Sequence, residues 1–325
     1  MDKYIDFLQI GFQKCGTMFF EKNLYSSNPQ IYCVQAARVL DLERLLLQEF
    51  IYPDSLEYEK EAFEQHFQSL APSLFKERDA KVRGIMFEAF TFLYEKHFDR
   101  KMILDRIRES FPDVKIIMLI RNQETWYASI YSQYVRSGGI LNLHDFMECA
   151  LGNPTLISHY VDWYPMVEYL FKIFGKDRVL VCLFEELGDS PDALASKVFQ
   201  FVGVPNVEID KTKKNESLSK HMLFVRRIMN RCIPFDYGKS SYGFFRNLWN
   251  ARPSFTEGFW HSFIYKYYKT NTDNLLCLCD KVFNNKTRVV LSPYHIEKIH
   301  KRYAQNNKKL SELLGLNLSS QGYPV

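Results

Sequence analysis

Five short apolar runs, each bounded by polar or turn-forming residues, organise this chain: residues 6–11, 30–34, 84–88, 114–120 and 179–184. Runs that stay apolar instead of alternating with polar positions predict strands buried on both faces, as in a parallel sheet. The stretches between them have helical composition, as right-handed crossovers between parallel strands require. Asn122 is an N-cap for a helix over Gln123 to Ser137, and Gly138-Gly139 ends it. Residues Trp163 to Gly203 read helix, turn and strand. Ser190-Pro191-Asp192 then supplies a cap, a first-turn proline and an early acid to a helix closed by Gly203. The pattern predicts an α/β fold of three layers, with a central, mostly parallel sheet of about five strands and helices on both faces.

The first strand runs into Gly11-Phe12-Gln13-Lys14-Cys15-Gly16-Thr17-Met18 and then into a helix. Glycines permit a tight turn, consecutive backbone N–H groups converge on one anion, and the positive end of the helix adds to the attraction. Such a turn is a phosphate cradle, unless it is simple punctuation beside a surface lysine. The ATP-type loop places its lysine after the second glycine, whereas Lys14 precedes Gly16. A second cation comes from the run Asp113 to Ile120, a buried strand that delivers Arg121 to the sheet edge. Ligands of open α/β sheets bind outside the carboxyl ends of the strands, so Arg121 is expected on the same rim as the Gly11 to Thr17 loop. The plainer alternative makes Arg121 a surface ion-pair partner and Ser129 a solvated helix residue.

The order Gly-x-x-Lys-x-Gly-Thr resembles the 5′-phosphosulfate loop of sulfotransferases that use 3′-phosphoadenosine 5′-phosphosulfate (PAPS). Arg121-Asn122-Gln123-Glu124-Thr125-Trp126-Tyr127-Ala128-Ser129-Ile130-Tyr131 resembles the motif in which that family's arginine and serine hold the ribose 3′-phosphate. Gln123 stands where the family usually has proline. Phe184-Glu185-Glu186-Leu187 after the fifth strand, and Tyr303 to Gly315 near the C-terminus, are also similar to family elements. The resemblance spans most of the chain and leaves residues 36–80 and 215–290 without a motif. It implies a P-loop NTPase-like fold and in-line transfer of a sulfuryl group from PAPS to a hydroxyl or amine, releasing 3′-phosphoadenosine 5′-phosphate (PAP). It further implies that Lys14 stabilises charge on the bridging oxygen. The amides of Cys15, Gly16, Thr17 and Met18, with the Thr17 hydroxyl, would hold the 5′-phosphate, and Arg121 and Ser129 the 3′-phosphate. Many relatives carry a second hydroxyl residue where this chain has Met18. A sulfuryl group bears less negative charge than a phosphoryl group, so no metal is expected. Cys15 is either a small residue that fits the loop or a thiol acidified by its helix N-terminus.

Family members take the acceptor proton with a histidine or a glutamate, and such a base must reach the acceptor. Gly84 to Phe90 reads as a strand with Glu88 at its carboxyl end, beside Lys14 and Arg121. An acid in apolar company has a raised pKa, which suits a base. The alternative for Glu88 is a carboxylate that orients a loop or pairs with a lysine. His97 is a second candidate, with a structural role as its alternative. The acid that carbohydrate sulfotransferases often carry after the second strand is missing from Ile31 to Arg38.

The chain has 325 residues and is 46% hydrophobic, ample for a core. No linker, repeat or low-complexity run divides it, so one domain over 1–325 is expected. Its formal net charge of +4 matches nucleotide-sized anions and argues against a nucleic-acid partner. Seven cysteines with no CxxC pairing point to reduced thiols. The first strand follows Met1 almost immediately and no apolar run reaches membrane-spanning length, so a cytoplasmic enzyme is expected. Residues 215–290 are aromatic and basic, including Phe224, Arg226, Arg227, Trp249 and Trp260. They read as a helical core, an acceptor-binding lid for a carbohydrate, glycolipid or small molecule, or a homodimer or membrane-surface patch. Two rival functions remain: a non-catalytic nucleotide-binding protein on this fold, and a P-loop kinase. The absence of a lysine after the second glycine, and an arginine where a Walker-B acid belongs, disfavour the kinase.

Overall fold

The apolar runs become five strands: β1 (Phe7–Gly11), β2 (Ile31–Gln35), β3 (Val82–Met86), β4 (Lys115–Ile120) and β5 (Val179–Leu183). The computed structural model describes residues 4–75, 80–91, 99–152, 157–211, 218–232, 259–283 and 287–325. The strands form one sheet in the order β2-β3-β1-β4-β5, and all four pairings are parallel, with Phe7 opposite Gly84 and Lys115. This is the P-loop NTPase-like arrangement. Every residue of β1 is buried. Because successive side chains point to opposite faces, a strand buried throughout has both of its faces covered.

Crossover segments supply that cover. Helices Arg100–Ser110 and Trp163–Phe174 lead into β4 and β5, while Gln123–Arg136 and Pro191–Val202 follow them. Asn122 caps the helix Gln123–Arg136 through Oδ1, which accepts from the amides of Glu124 at 2.8 Å and Thr125 at 3.3 Å. That helix ends one residue before Ser137, in accord with the glycine stop. The last long helix, Pro293–Leu314, packs across it. Tyr127 and Tyr303 share a hydroxyl hydrogen bond of 2.8 Å. The side-chain amides of Gln123 and Asn307 bond each other twice at 3.0 Å.

Four strands keep within one residue of the expected limits, and β3 is displaced by two. β3 stops at Met86, and Glu88 opens a 3-10 turn, Glu88–Phe90, instead of ending the strand. The Phe87 amide still reaches Gln9 O at 3.1 Å, after which the Thr91 amide folds back to Glu88 O at 3.1 Å. The backbone donors thus leave the ladder after Phe87, while buried apolar residues continue to Phe90.

β1 occupies the middle of the sheet. The chain goes from it to β2 and β3 on one side and later to β4 and β5 on the other, so the order reverses beside β1. An open α/β sheet binds its ligand at that point, outside the carboxyl ends. Part of the 215–290 segment lies outside the described residues. The described helix Lys220–Cys232 docks on the end of Gln123–Arg136, where Asn230 Nδ2 donates to Val135 O at 2.8 Å and Gly139 O at 2.9 Å. Arg226 is fully buried there beside Asp273, at 3.9 Å. This part of the segment acts as structural packing. Among the described residues no helix is long and apolar enough to cross a membrane.

Candidate active site

The loop after β1 owes its shape to where its carbonyls go. Gly11 O accepts from Thr91 Oγ1 at 2.5 Å, and Phe12 O accepts from the Cys15 amide at 3.3 Å. Gln13 O accepts from Trp126 Nε1 at 2.9 Å, and Lys14 O from Arg121 Nη1 at 2.8 Å. Four consecutive carbonyls are therefore tied into the protein body. Lys14 adopts the left-handed conformation, with φ 67°, and Gly16 follows at φ 104°. A side chain at Gly16 would meet Leu187 Cδ1 at 2.5 Å and suffer that backbone angle as well, so glycine is required. Such turns gather successive N–H groups into an anion-binding concavity. The amides of Gly16, Thr17 and Met18 open the helical segment that starts with Thr17–Phe19, where no preceding turn supplies acceptors for the first N–H groups.

Of the expected cradle residues, Gly16, Thr17 and Met18 lie at the start of the helix. The Cys15 amide is taken up within the turn. Its thiol is buried and raised well above the ordinary thiol pKa, chiefly by that burial, with Arg121 opposing. Cys15 is therefore a packing residue and not an acidified thiol. Met18 turns its sulfur toward Arg38 Nη2, 3.7 Å away.

Arg121 leaves β4 and reaches the loop directly, so the two predicted cationic sites meet. Its Nε donates to Thr125 Oγ1 at 2.9 Å, and its guanidinium stacks over Phe184 at 3.9 Å from the ring centre. These contacts use two of five N–H donors and leave others for an anion. Ser129 stands one helical turn beyond Thr125 on the same face, which aligns Arg121, Thr125 and Ser129 in one row.

Glu88 closes the opposite side. Its Oε1 accepts from Thr17 Oγ1 at 2.5 Å. Burial raises its carboxyl above the usual carboxylate range, and the Thr17 hydrogen bond and the nearby Lys14 charge pull it partly back. A shallow recess is lined by Gln9, Ile10, Gly11, Thr17, Met86, Glu88 and Leu119. Within that lining Glu88 is the ionisable group. His97 lies outside the described residues.

Below the rim, Glu185 holds the turn that carries Arg121. Its Oε1 accepts from the Asn122 amide at 2.9 Å and its Oε2 from Tyr323 Oη at 3.1 Å. Asn122 Nδ2 donates to Gly322 O, and Asn307 Nδ2 donates to Pro324 O at 2.8 Å. The C-terminal tail is thus fastened under the site. Sequence reading singled out the Phe184 to Leu187 element but not this role, and it missed Thr91, Trp126 and Tyr323. An indole or hydroxyl that reaches a distant carbonyl leaves no local periodic signal.

The arrangement offers backbone donors and a lysine at one position, an arginine and a serine at a second, and a carboxylate of raised pKa in the recess. It can bind two anionic groups of one molecule and accept a proton nearby. A family model described as sulfotransferase domain matches residues 5–241. No curated protein matches the sequence. Among solved structures, the chain is similar to a sulfotransferase from Alicyclobacillus acidocaldarius, at 20% identity and TM-score 0.47, over 65% of this chain and 86% of that one. It is also similar to a mouse sulfotransferase complexed with PAP, at 16% identity and TM-score 0.38, over 70% of this chain and 65% of that one. A third is the sulfotransferase domain of the Synechococcus PCC 7002 olefin synthase, at 13% identity and TM-score 0.38, over 80% and 92%.

Proposed function

The chain belongs to the sulfotransferase domain family and is a sulfotransferase, and on that premise we propose that it moves the sulfuryl group of PAPS to a hydroxyl or amine of an acceptor, releasing PAP. The observation that carries this reading is the hydrogen bond from Arg121 Nη1 to Lys14 O, because it brings the two anion-binding elements within reach of one bisphosphorylated nucleoside. The solved mouse relative holds PAP. In this chain the amides of Gly16, Thr17 and Met18 take the 5′-phosphate, and Arg121 and Ser129 take the 3′-phosphate. The Lys14 ammonium stabilises the charge that grows on the bridging oxygen as the sulfur–oxygen bond breaks. Glu88 accepts the proton of the acceptor hydroxyl or amine as the new bond from that oxygen or nitrogen to sulfur forms. The sulfuryl group's modest charge lets Lys14 and the amides suffice without a metal.

Thr17 serves both sides in this scheme. Its single hydroxyl proton goes to Glu88 in the structure, and a bound 5′-phosphate competes for it. Losing that bond, and gaining a neighbouring anion, makes Glu88 more basic when the nucleotide is in place.

We read residues 1–325 as one sulfotransferase domain in which 215–290 carries a helical acceptor-binding or lid region, with a carbohydrate, glycolipid or small molecule as acceptor. The thiols of Cys15, Cys33, Cys149, Cys182 and Cys279 are free, which supports a cytoplasmic location. Thermal-shift measurements test the nucleotide reading: PAP should stabilise the protein without magnesium, whereas a kinase would need ATP with magnesium. Single-turnover consumption of PAPS with a panel of carbohydrate, phenolic and lipid acceptors then separates an enzyme from a binder. No turnover with any acceptor, together with tight PAP binding, would favour the non-catalytic alternative.

A further inference from the structure

Away from the phosphate cradle, His144 and Glu148 lie one turn apart on the helix Leu143–Gly152 and face His295 at the start of the helix Pro293–Leu314. One ligand atom from each lies within 4.8 Å of the other two. The i, i+4 spacing of His144 and Glu148 puts both on one helix face. His295 is only 2% exposed. Its Nδ1 pairs with Oγ of Ser292, the cap of its own helix, at 2.9 Å. Its Nε2 is buried with no hydrogen-bond partner, although Glu148 Oε1 stands 3.4 Å away. A buried ring nitrogen left without a partner is unfavourable and calls for an explanation.

In the tautomer that donates Nδ1–H to Ser292, the Nε2 lone pair points at a carboxylate. Two electron-rich atoms facing each other across such a gap attract a cation between them. Lys298 already meets Glu148, with Nζ 2.9 Å from Oε1 and 2.8 Å from Oε2. That ion pair satisfies the carboxylate but does nothing for His295 Nε2.

We propose that His144, Glu148 and His295 form a divalent transition-metal site, suited to Zn²⁺, that pins the helix Leu143–Gly152 to the helix Pro293–Leu314. Two imidazoles and one carboxylate are a borderline donor set that favours Zn²⁺ over Mg²⁺ or Ca²⁺. Zinc bonds of about 2.0–2.2 Å draw the three donors closer than they now stand. The exposed His144 side chain can turn inward to close that gap, while Lys298 keeps the second oxygen of Glu148. Ser292 holds the His295 ring as second-layer support. The site lies on elements other than the cradle, and its ion takes no part in sulfuryl transfer. Its effect is structural, because the helix it grips also carries Asn307, which holds the C-terminal tail.

Metal-free protein titrated with Zn²⁺ by calorimetry, and with Co²⁺ by absorption, tests the assignment. Wild type should bind one equivalent more than His144→Ala, whose altered side chain is exposed and leaves the fold intact. Zn²⁺ should raise the Tm of wild type and not of that variant. Bound Co²⁺ should show visible bands without the intense near-ultraviolet absorption of thiolate ligation. Ser292→Ala should weaken binding about 10–100-fold, and Lys298→Met should strengthen it. Equal stoichiometry and affinity in His144→Ala, a thiolate spectrum, or no binding by wild type would each overturn the proposal.

Discussion

Glu88 and Thr17 share one proton-mediated contact, and the consequences of that contact can be worked out by sign. The Glu88 carboxyl sits above the usual carboxylate range because burial outweighs the help of Thr17 and Lys14. As a base it must be ionised, so kcat/KM should climb with pH through this raised pKa, and Glu88→Gln should lose that limb and most of its turnover while still binding PAP. Normal turnover in Glu88→Gln would discard the residue as base. For stability, the folded state holds this proton more tightly than the unfolded chain does. The carboxyl's contribution is therefore complete below the unfolded pKa and lost as pH rises through the folded one. Glu88→Gln, neutral throughout and still able to accept from Thr17, should gain Tm on wild type at neutral pH and lose that advantage in acid. PAP binding should also be accompanied by proton uptake near the Glu88 pKa, seen as a calorimetric heat that varies with buffer ionisation enthalpy; a heat independent of buffer would break the proposed sharing of Thr17. Lys14→Ala should slow single-turnover transfer about 10²–10³-fold, and equal rates would remove its catalytic role.

At the scale of elements, the loop after β1 is held by donors from three other segments, and this decides which of its groups face a ligand. Trp126 is fully buried with its indole N–H on Gln13 O. Trp126→Phe keeps the ring packing and removes the indole donor from that carbonyl, at a cost of about 1 kcal/mol. PAP affinity should fall with stability although Trp126 is assigned no ligand contact; unchanged affinity would show that the carbonyl ties do not set the cradle. Much of this element was legible in the sequence. Glycine spacing, the apolar run before Arg121 and the Asn122 cap are local signals, and each was found where expected. The ties from Thr91, Trp126 and Glu185 were not legible, because they join residues 80, 113 and 63 positions apart. The end of β3 was misplaced for a related reason: Phe87, Ala89 and Phe90 stay buried after the ladder stops, so hydrophobicity continues where strand pairing does not.

Across the whole molecule, the last residues of the chain support a site built by the first. Tyr323 is 3% exposed and bonds Glu185, which holds the turn of Asn122. Tyr323→Ala should cost about 3–5 kcal/mol of stability, as large-to-small changes of buried aromatics do. Tyr323→Phe should cost about 1 kcal/mol and weaken PAP binding by loosening Arg121's support. Full PAP affinity in a chain truncated after Gln321 would contradict this coupling. The closing helix was visible in the sequence, but the tail beyond it carries too few residues for any pattern. The proposed acceptor region, residues 215–290, is rich in aromatic and basic types that are equally consistent with packing, and the buried Arg226 shows that packing accounts for part of that segment. In the proposed reading, one nucleoside bisphosphate spans from the Lys14 loop to Arg121 and Ser129. Calorimetric affinities for PAP and for 5′-AMP, which lacks the 3′-phosphate, compared among wild type, Arg121→Ala and Ser129→Ala, test it most directly. Wild type should show a clear preference for PAP that shrinks sharply in both variants; a preference retained in Arg121→Ala would refute the two-ended grip.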